Sequence, residues 1–249
     1  MLILLPPSET KRPGGSPHPL ALDGLSFPQL SEQRTLLVDA LVALSEDEDR
    51  AARVLKLGAT QRAEVAVNAA LRTGPTMAAV DRYTGVLYDA LDAGSLPTPA
   101  RRWLGAHVAI HSAPFGPVGA LDAIPAYRLG ASTSLPDLPP LRRVWAAPVT
   151  AQLAAAAPRV LLDLRSEAYV ALGPVPEGIR SAYVRVVSEG EDGTVRALNH
   201  FNKHAKGALV RALAESRPRI GSLSALRRWA DAAGVRLRDG AGDELELVV

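Results

Sequence analysis

Two short apolar runs constrain this chain more than any other feature. Leu2-Ile3-Leu4-Leu5 is halted by Pro6-Pro7, and Val160-Leu161-Leu162-Asp163-Leu164 leads straight into Arg165-Ser166-Glu167. Runs of this length bounded by turn signals read as interior strands rather than as alternating, half-exposed ones. Interior strands need a sheet with neighbours on both sides and helices over its faces. The expected fold is α+β: a single domain over residues 1–249 with a mixed central β-sheet flanked by helices.

The helices are read from apolar spacing. Leu30, Leu36, Leu37, Leu41 and Leu44 predict an amphipathic helix over 27–44, entered near Pro28. Ser45-Glu46-Asp47-Glu48 has the form of a capping box with Ser45 as the cap. Helices over 50–56 and 60–71 follow, stopped at Gly58 and Gly74-Pro75, and a short one covers 86–91. Residues 12–19 read as a surface loop with a solvated His18, and 94–99 as a Pro-rich loop. A strand is predicted over 106–112, then a loop of fixed path around Phe115, then a return to a strand at 125–128. A helix over 142–157 accommodates Pro148 only if it starts near that residue.

Late in the chain, 179–187 and 194–198 alternate about the turn-forming Glu189-Gly190-Glu191-Asp192-Gly193, which predicts a hairpin. Helices over 203–215 and 222–233, joined at Pro218 and Gly221, form a helix–loop–helix pair. Residues 234–238 and 244–249 make a closing hairpin. With no repeat and no long linker, one domain is the economical organisation.

Cysteine is absent, which excludes disulfides, thiolate metal sites and a cysteine nucleophile, and fits a cytoplasmic protein. The apolar N-terminus is too short to span a membrane. No P-loop, dinucleotide fingerprint, nucleophile elbow or zinc-protease helix occurs. His107 and His111, four apart on a predicted strand, lie too far apart to chelate one metal comfortably. No metal, no cofactor and no membrane partner are therefore expected, and the chain is taken as a monomer. The net charge of +2 weakly favours anionic partners.

The most chemically loaded stretch is Asn199-His200-Phe201-Asn202-Lys203-His204-Ala205-Lys206-Gly207. Of 28 basic residues only four are lysine, Lys11, Lys56, Lys203 and Lys206, so a titratable amine in this Arg-rich chain marks a possible site. Lys203 and Lys206 are three apart and should project from one side of a helix. Polar loops at Ser8, Glu9, Thr10 and Lys11, at Tyr83, Thr84 and Gly85, at Arg128, at Ser166, Glu167 and Tyr169, and at Asn199 and Asn202 adjoin predicted strand ends or helix starts. Gathered together they would form a basic, hydroxyl-rich pocket suited to phosphate. The loop Arg217-Pro218-Arg219-Ile220-Gly221, with Arg211 and Arg227 on the helices beside it, could offer further cations and backbone N–H groups.

Taken in order, Met1 to Lys11, Tyr83-Thr84-Gly85, Pro125-Ala126-Tyr127-Arg128-Leu129, Leu164 to Tyr169 and Lys203 to Gly207 resemble the successive motifs of the YaaA family of peroxide-stress proteins. The resemblance spans essentially the whole chain. It implies a bacterial cytoplasmic protein with a positively charged cleft and a helix-hairpin-helix element that binds duplex or branched DNA and limits iron-driven oxidative damage. It also implies that Lys203 and Lys206 supply cleft cations and that the helix pair over 203–233 is the hairpin element. This chain departs from the family pattern at Glu9 and His204, where Lys is common, at Gly119, where Arg is common, and at Ala147, where Asp is common.

Three functional readings follow. The first is DNA binding through Lys11, Arg128, Lys203, Lys206, Arg211, Arg217, Arg219 and Arg227, with a phosphate-bearing small molecule as another possible ligand. The second is an enzyme acting on a nucleobase, nucleotide or damaged DNA, with Lys203 or Lys206 as a Schiff-base amine beside Ser166, Glu167 and Tyr83. The third is structural, Lys206 pairing with Glu167 inside the fold.

Overall fold

The structure, a computed structural model, describes residues 1–189, 195–197 and 201–249. Its strands are β1 (Leu2–Leu5), β2 (Thr76–Ala78), β3 (Val108–Ser112), β4 (Gly116–Gly119), β5 (Ala123–Pro125), β6 (Leu161–Asp163), β7 (Ser181–Glu189), β8 (Val195–Ala197), β9 (Leu237–Asp239) and β10 (Glu244–Val248). Its helices are α1 (Ser31–Leu44), α2 (Glu48–Val54), α3 (Glu64–Ala69), α4 (Ala79–Arg82), α5 (Val86–Leu91), α6 (Thr98–His107), α7 (Leu141–Ala156), α8 (Glu167–Val170), α9 (Phe201–Ser216) and α10 (Leu223–Ala232).

The apolar run of β1 sits in the middle of the main sheet, as an interior strand must. The sheet order is β4-β3-β1-β6-β7-β10-β9, with β8 attached to β7. Neighbours from β3 to β10 run parallel, and β4, β8 and β9 are antiparallel additions, so the sheet is mixed. Leu4 is registered with Ala109 on one side and Asp163 on the other. The chain leaving β1 runs to β3, whereas the chain leaving β6 runs the other way to β7. Connections that diverge from adjacent parallel strands open a crevice at their carboxyl ends, the usual ligand position in sheets of this kind.

Helices cover the sheet, and the buried side chains form a continuous apolar core. Leu37, Val38, Leu41 and Leu44 give α1 its buried stripe. Helix α9 lies close against α5 because Gly207 has no side chain: a Cβ there would stand 2.1 Å from the Leu87 carbonyl oxygen. That approach carries the next residue back, Lys206, inward.

Several expectations need correction. Residues 98–107 form α6, where a loop and then a strand were predicted. Pro97 and Pro99 belong to its start, where proline's fixed φ and missing N–H cost nothing. The supposed loop around Phe115 contains β4 and β5, and strand structure ends at Pro125, before Arg128. Asp47 caps α2, accepting from the Arg50 N–H at 2.9 Å, whereas the Ser45 hydroxyl donates back to the Leu41 carbonyl as α1 ends. Pro148 lies well inside α7, whose buried Leu141, Val144, Trp145, Val149 and Leu153 hold the helix across the lost hydrogen bond. Strands β7 with β8 and β9 with β10 pair antiparallel, as the two late hairpins require, while the predicted turn residues 190–193 lie outside the described residues. The helix–loop–helix pair is present as α9 and α10, and Ser222 caps α10 through the Ala225 N–H.

Candidate functional site

The loop leaving β1 is fixed by buried groups that make nearly all their bonds to backbone. Arg82, fully buried, donates to the carbonyls of Arg12, Pro75 and Ile124, and Lys11 forms an antiparallel bridge with Tyr83. Tyr88 donates to the Pro6 carbonyl at 2.7 Å. Thr84 donates to the Thr10 hydroxyl at 2.9 Å, and Ser8 and Thr10 share a longer contact. Gly85 packs under these hydroxyls with φ +92°, a conformation side chains rarely adopt. Ser8, Thr10, Lys11, Tyr83, Thr84 and Gly85 therefore do converge.

Lys11 is the centre of this group. Its Nζ donates to the carbonyls of Ser8 at 3.0 Å and Glu9 at 3.1 Å, and lies 4.0 Å from the centre of the Tyr127 ring. Tyr127 in turn shares a 2.9 Å hydroxyl contact with buried Tyr83. Burial, reinforced by the positive charges of Arg128 and Arg82 and opposed by Glu64 and Glu9, lowers the Lys11 amine to about 7. Burial also pushes the phenols of Tyr83 and Tyr127 well above their ordinary value, so these hydroxyls stay protonated.

Lys11 opens onto a cleft of ≈ 340 Å³ whose walls include Ser8, Glu9, Lys56, Arg128, Thr133 and Tyr169. Arg128 is oriented by Asn68, which accepts from its N–H at 2.7 Å and donates to its carbonyl at 2.9 Å. Among the described residues the carboxylates nearest its guanidinium are Glu64 at 3.6 Å and Glu9 at 3.8 Å. Lys56 reaches the cleft from the end of α2 with φ +55°. Lys56, Ser132 and Thr133 also line this candidate cleft, and sequence reasoning did not place them there. The scarcity of lysine pointed to Lys56 as much as to its fellows.

The carboxyl end of β6 holds a second, closed cluster. Asp163 and Arg165 form a buried two-point ion pair at 2.8 and 2.6 Å. Arg165 Nη1 also meets His111 Nδ1 at 2.9 Å, and since a guanidinium only donates, the imidazole proton belongs on Nε2. Burial and Arg165 hold the His111 imidazole well below its ordinary value, hence neutral. Lys206, 5% exposed, donates to the Leu164 carbonyl at 3.1 Å and lies 5.3 Å from the Tyr183 ring centre. Burial, with Arg185 assisting and Asp163 opposing, lowers its amine to about 8.

The remaining predicted residues do not gather. Lys203 is exposed while Lys206 is buried, so the two amines do not act as a pair; a 60° step around α9 crosses the edge of its buried face. Lys206 bonds to the Leu164 carbonyl and not to Glu167, which is exposed beside Ser166 at the start of α8. Asn202 is half-buried near the start of α9, and Asn199 lies outside the described residues. Arg211 ties α9 to the end of α5 through the Leu91 and Asp92 carbonyls, and Arg227 pairs with Asp239. Arg217 and Arg219 line a shallow basic pocket with Arg159 and Trp103 at the amino ends of β3 and β6, the far end of the sheet from Lys11. Among the described residues no cluster of His, Asp and Glu is arranged to hold a metal ion, and no helix is long and apolar enough to cross a membrane.

Comparison with known proteins identifies the relatives of this arrangement. The family model described as peroxide stress protein YaaA matches residues 1–239. The chain belongs to the YaaA peroxide-stress family. A UPF0246 protein of Corynebacterium efficiens is 45% identical over 255 aligned positions covering all of both chains. One from Corynebacterium glutamicum is 43% identical with the same coverage, and one from Streptomyces coelicolor is 42% identical over 218 positions, 86% of this chain and 82% of its own. Within this YaaA-family chain, the motif from Met1 to Lys11 builds the open cleft, whereas Leu164 to Tyr169 and Lys203 to Gly207 contribute chiefly to the closed cluster.

Proposed function

We propose that this YaaA-family protein binds DNA in the cleft of Lys11, Lys56 and Arg128, taking the phosphate of an unpaired nucleotide. The observation that carries this reading is the convergence of two cations, Lys56 and Arg128, with the partly protonated Lys11 amine and several hydroxyls on one cleft. Elsewhere many arginines are neutralised at short range: Arg62 by Glu48, Arg72 by Asp39, Arg101 by Asp81, Arg185 by Glu244 and Arg238 by Glu246. The cleft volume of ≈ 340 Å³ lies in the roughly 300–1,000 Å³ range of small-ligand sites, too small for a duplex to enter. Bubbled or branched DNA, which exposes unpaired nucleotides, is the natural ligand of such a shape.

Fluorescence anisotropy over a salt series tests this with duplex, bubble and four-way-junction DNA. Affinity should fall with salt, with a slope of about −0.7 per unpaired phosphate contacted. The Lys11→Ala, Lys56→Ala and Arg128→Ala variants should each flatten that slope. Binding indifferent to salt and to all three substitutions would count against the cleft. The same volume favours a second reading, a free phosphate-bearing small molecule, which would compete with the oligonucleotide at lower concentration than an equal amount of unpaired DNA.

A further inference from the structure

We infer that Lys11 captures carbonyl compounds: its amine condenses with the aldehyde of a phosphorylated sugar whose phosphate Lys56 and Arg128 hold in the same cleft. The inference rests on the phosphate reading above and adds a covalent step to it. A sugar aldehyde and a phosphate coexist both in the ring-opened abasic deoxyribose of DNA and in free sugar phosphates.

The geometry singles out Lys11 among the described lysines. Lys206 is enclosed and bonded to the Leu164 carbonyl, Lys203 stands exposed on α9, and Lys56, though it lines the cleft, is solvent-exposed at the end of α2. Lys11 is half-buried yet forms part of the cleft wall. Its hydrogen bonds go to two backbone carbonyls, Ser8 and Glu9, and among the described residues no carboxylate makes a salt bridge with it. Two acceptors match the two N–H groups of a neutral amine, whose nitrogen then keeps its lone pair. The groups facing it are Glu9 on its own loop, Glu64 from α3, Arg82 from α4, Tyr83, Tyr127 and Arg128. With its amine near 7, a large share of Lys11 is unprotonated at neutral pH, which an imine-forming lysine requires.

In the step itself the nitrogen lone pair adds to the carbonyl carbon and the C=O π pair moves to oxygen, giving a carbinolamine. The oxygen leaves as water, both of whose hydrogens derive from the amine, and a C=N bond remains. No oxidant or reductant takes part, and hydrolysis returns the free lysine.

The test treats the full chain with cyanoborohydride and one of three aldehydes: an abasic oligonucleotide, glyceraldehyde 3-phosphate, or unphosphorylated glyceraldehyde. Mass mapping of the peptides locates the adduct. The expected result is one adduct, on Lys11, with a trapping rate that climbs through pH 7 and falls at least about tenfold in Lys11→Arg, whose guanidinium cannot form the imine. Lys203→Arg should trap at the wild-type rate. Glyceraldehyde 3-phosphate reacting without abasic DNA assigns the source as free sugar phosphate, and the reverse assigns it as DNA. Adducts spread evenly over Lys56 and Lys203, or a rate unchanged in Lys11→Arg, overturn the inference. Salt-dependent DNA binding with no adduct overturns the imine alone, whereas a Lys11 adduct formed equally fast by unphosphorylated glyceraldehyde overturns the phosphate reading beneath it. Mapping on the wild-type chain decides the matter even where Lys11→Arg fails to fold.

Discussion

Lys11 and Lys206 invite comparison because they begin alike and end differently. Both are rare lysines in an Arg-rich chain, both sit at the carboxyl ends of the neighbouring strands β1 and β6, and both amines are held below lysine's usual value by burial. Lys11 forms part of the wall of an open cleft beside Lys56 and Arg128. Lys206 is enclosed beside the Tyr183 ring with the Leu164 carbonyl as its partner. A lowered amine therefore records desolvation in both places, and only access to a cleft separates a reactive group from a structural one.

The comparison breaks most visibly at Arg165. Arg165→Ala leaves Asp163 buried without its partner and should cost about 3–5 kcal/mol in denaturant unfolding. A cost near zero would mean that the closed cluster does not hold the β6 end together. Lys206→Ala removes the partner of the buried Leu164 carbonyl and should lower stability by about 1–3 kcal/mol, read as a fall in Tm, with the salt slope of DNA binding unchanged. A stable Lys206→Ala protein that lost binding would move the functional site from β1 to β6.

The pH dependence of stability separates the two amines by position. Each has a folded value below the unfolded 10.5, so between those values the unfolded chain binds more protons and stability rises with pH. The rise from Lys11 spans about 7 to 10.5 and that from Lys206 about 8 to 10.5, each at most about 1.4 kcal/mol per pH unit. Thermal melts of Lys11→Met and Lys206→Met against pH should lose the corresponding segment. The smallest effect on stability belongs to exposed Lys56: Lys56→Ala should change it by less than about 0.5 kcal/mol while flattening the salt slope of binding by about 0.7.

Much of the fold was legible because its signals are local. An apolar run stopped by two prolines reads as an interior strand wherever it occurs, and Val86–Leu91, α9, α10 and the closing hairpin follow from periodicity and turn residues. Helix α6 was missed because Pro97 and Pro99 read as loop signals when they open a helix. The convergence of polar groups in the β1 exit loop was legible, since polar groups after an interior strand gather at its carboxyl end. Lys56 and Thr133 were not, because they enter the cleft from loops far from Lys11 in sequence. The stretch from Lys203 to Gly207 drew attention by its composition, yet the structure divides it: Lys203 faces solvent and Lys206 faces the core.

The sequence by itself determined where the interior strands β1 and β6 lie, which of the clearly periodic segments are helical and which polar loops leave those strands, since each depends on residues within a few positions of one another. Only the tertiary structure decided which lysine borders a cleft and which is sealed. Desolvation and access are set by atoms brought from distant parts of the chain, such as Tyr127 and Arg128 against Lys11 or Leu164 against Lys206, and no local pattern carries that information.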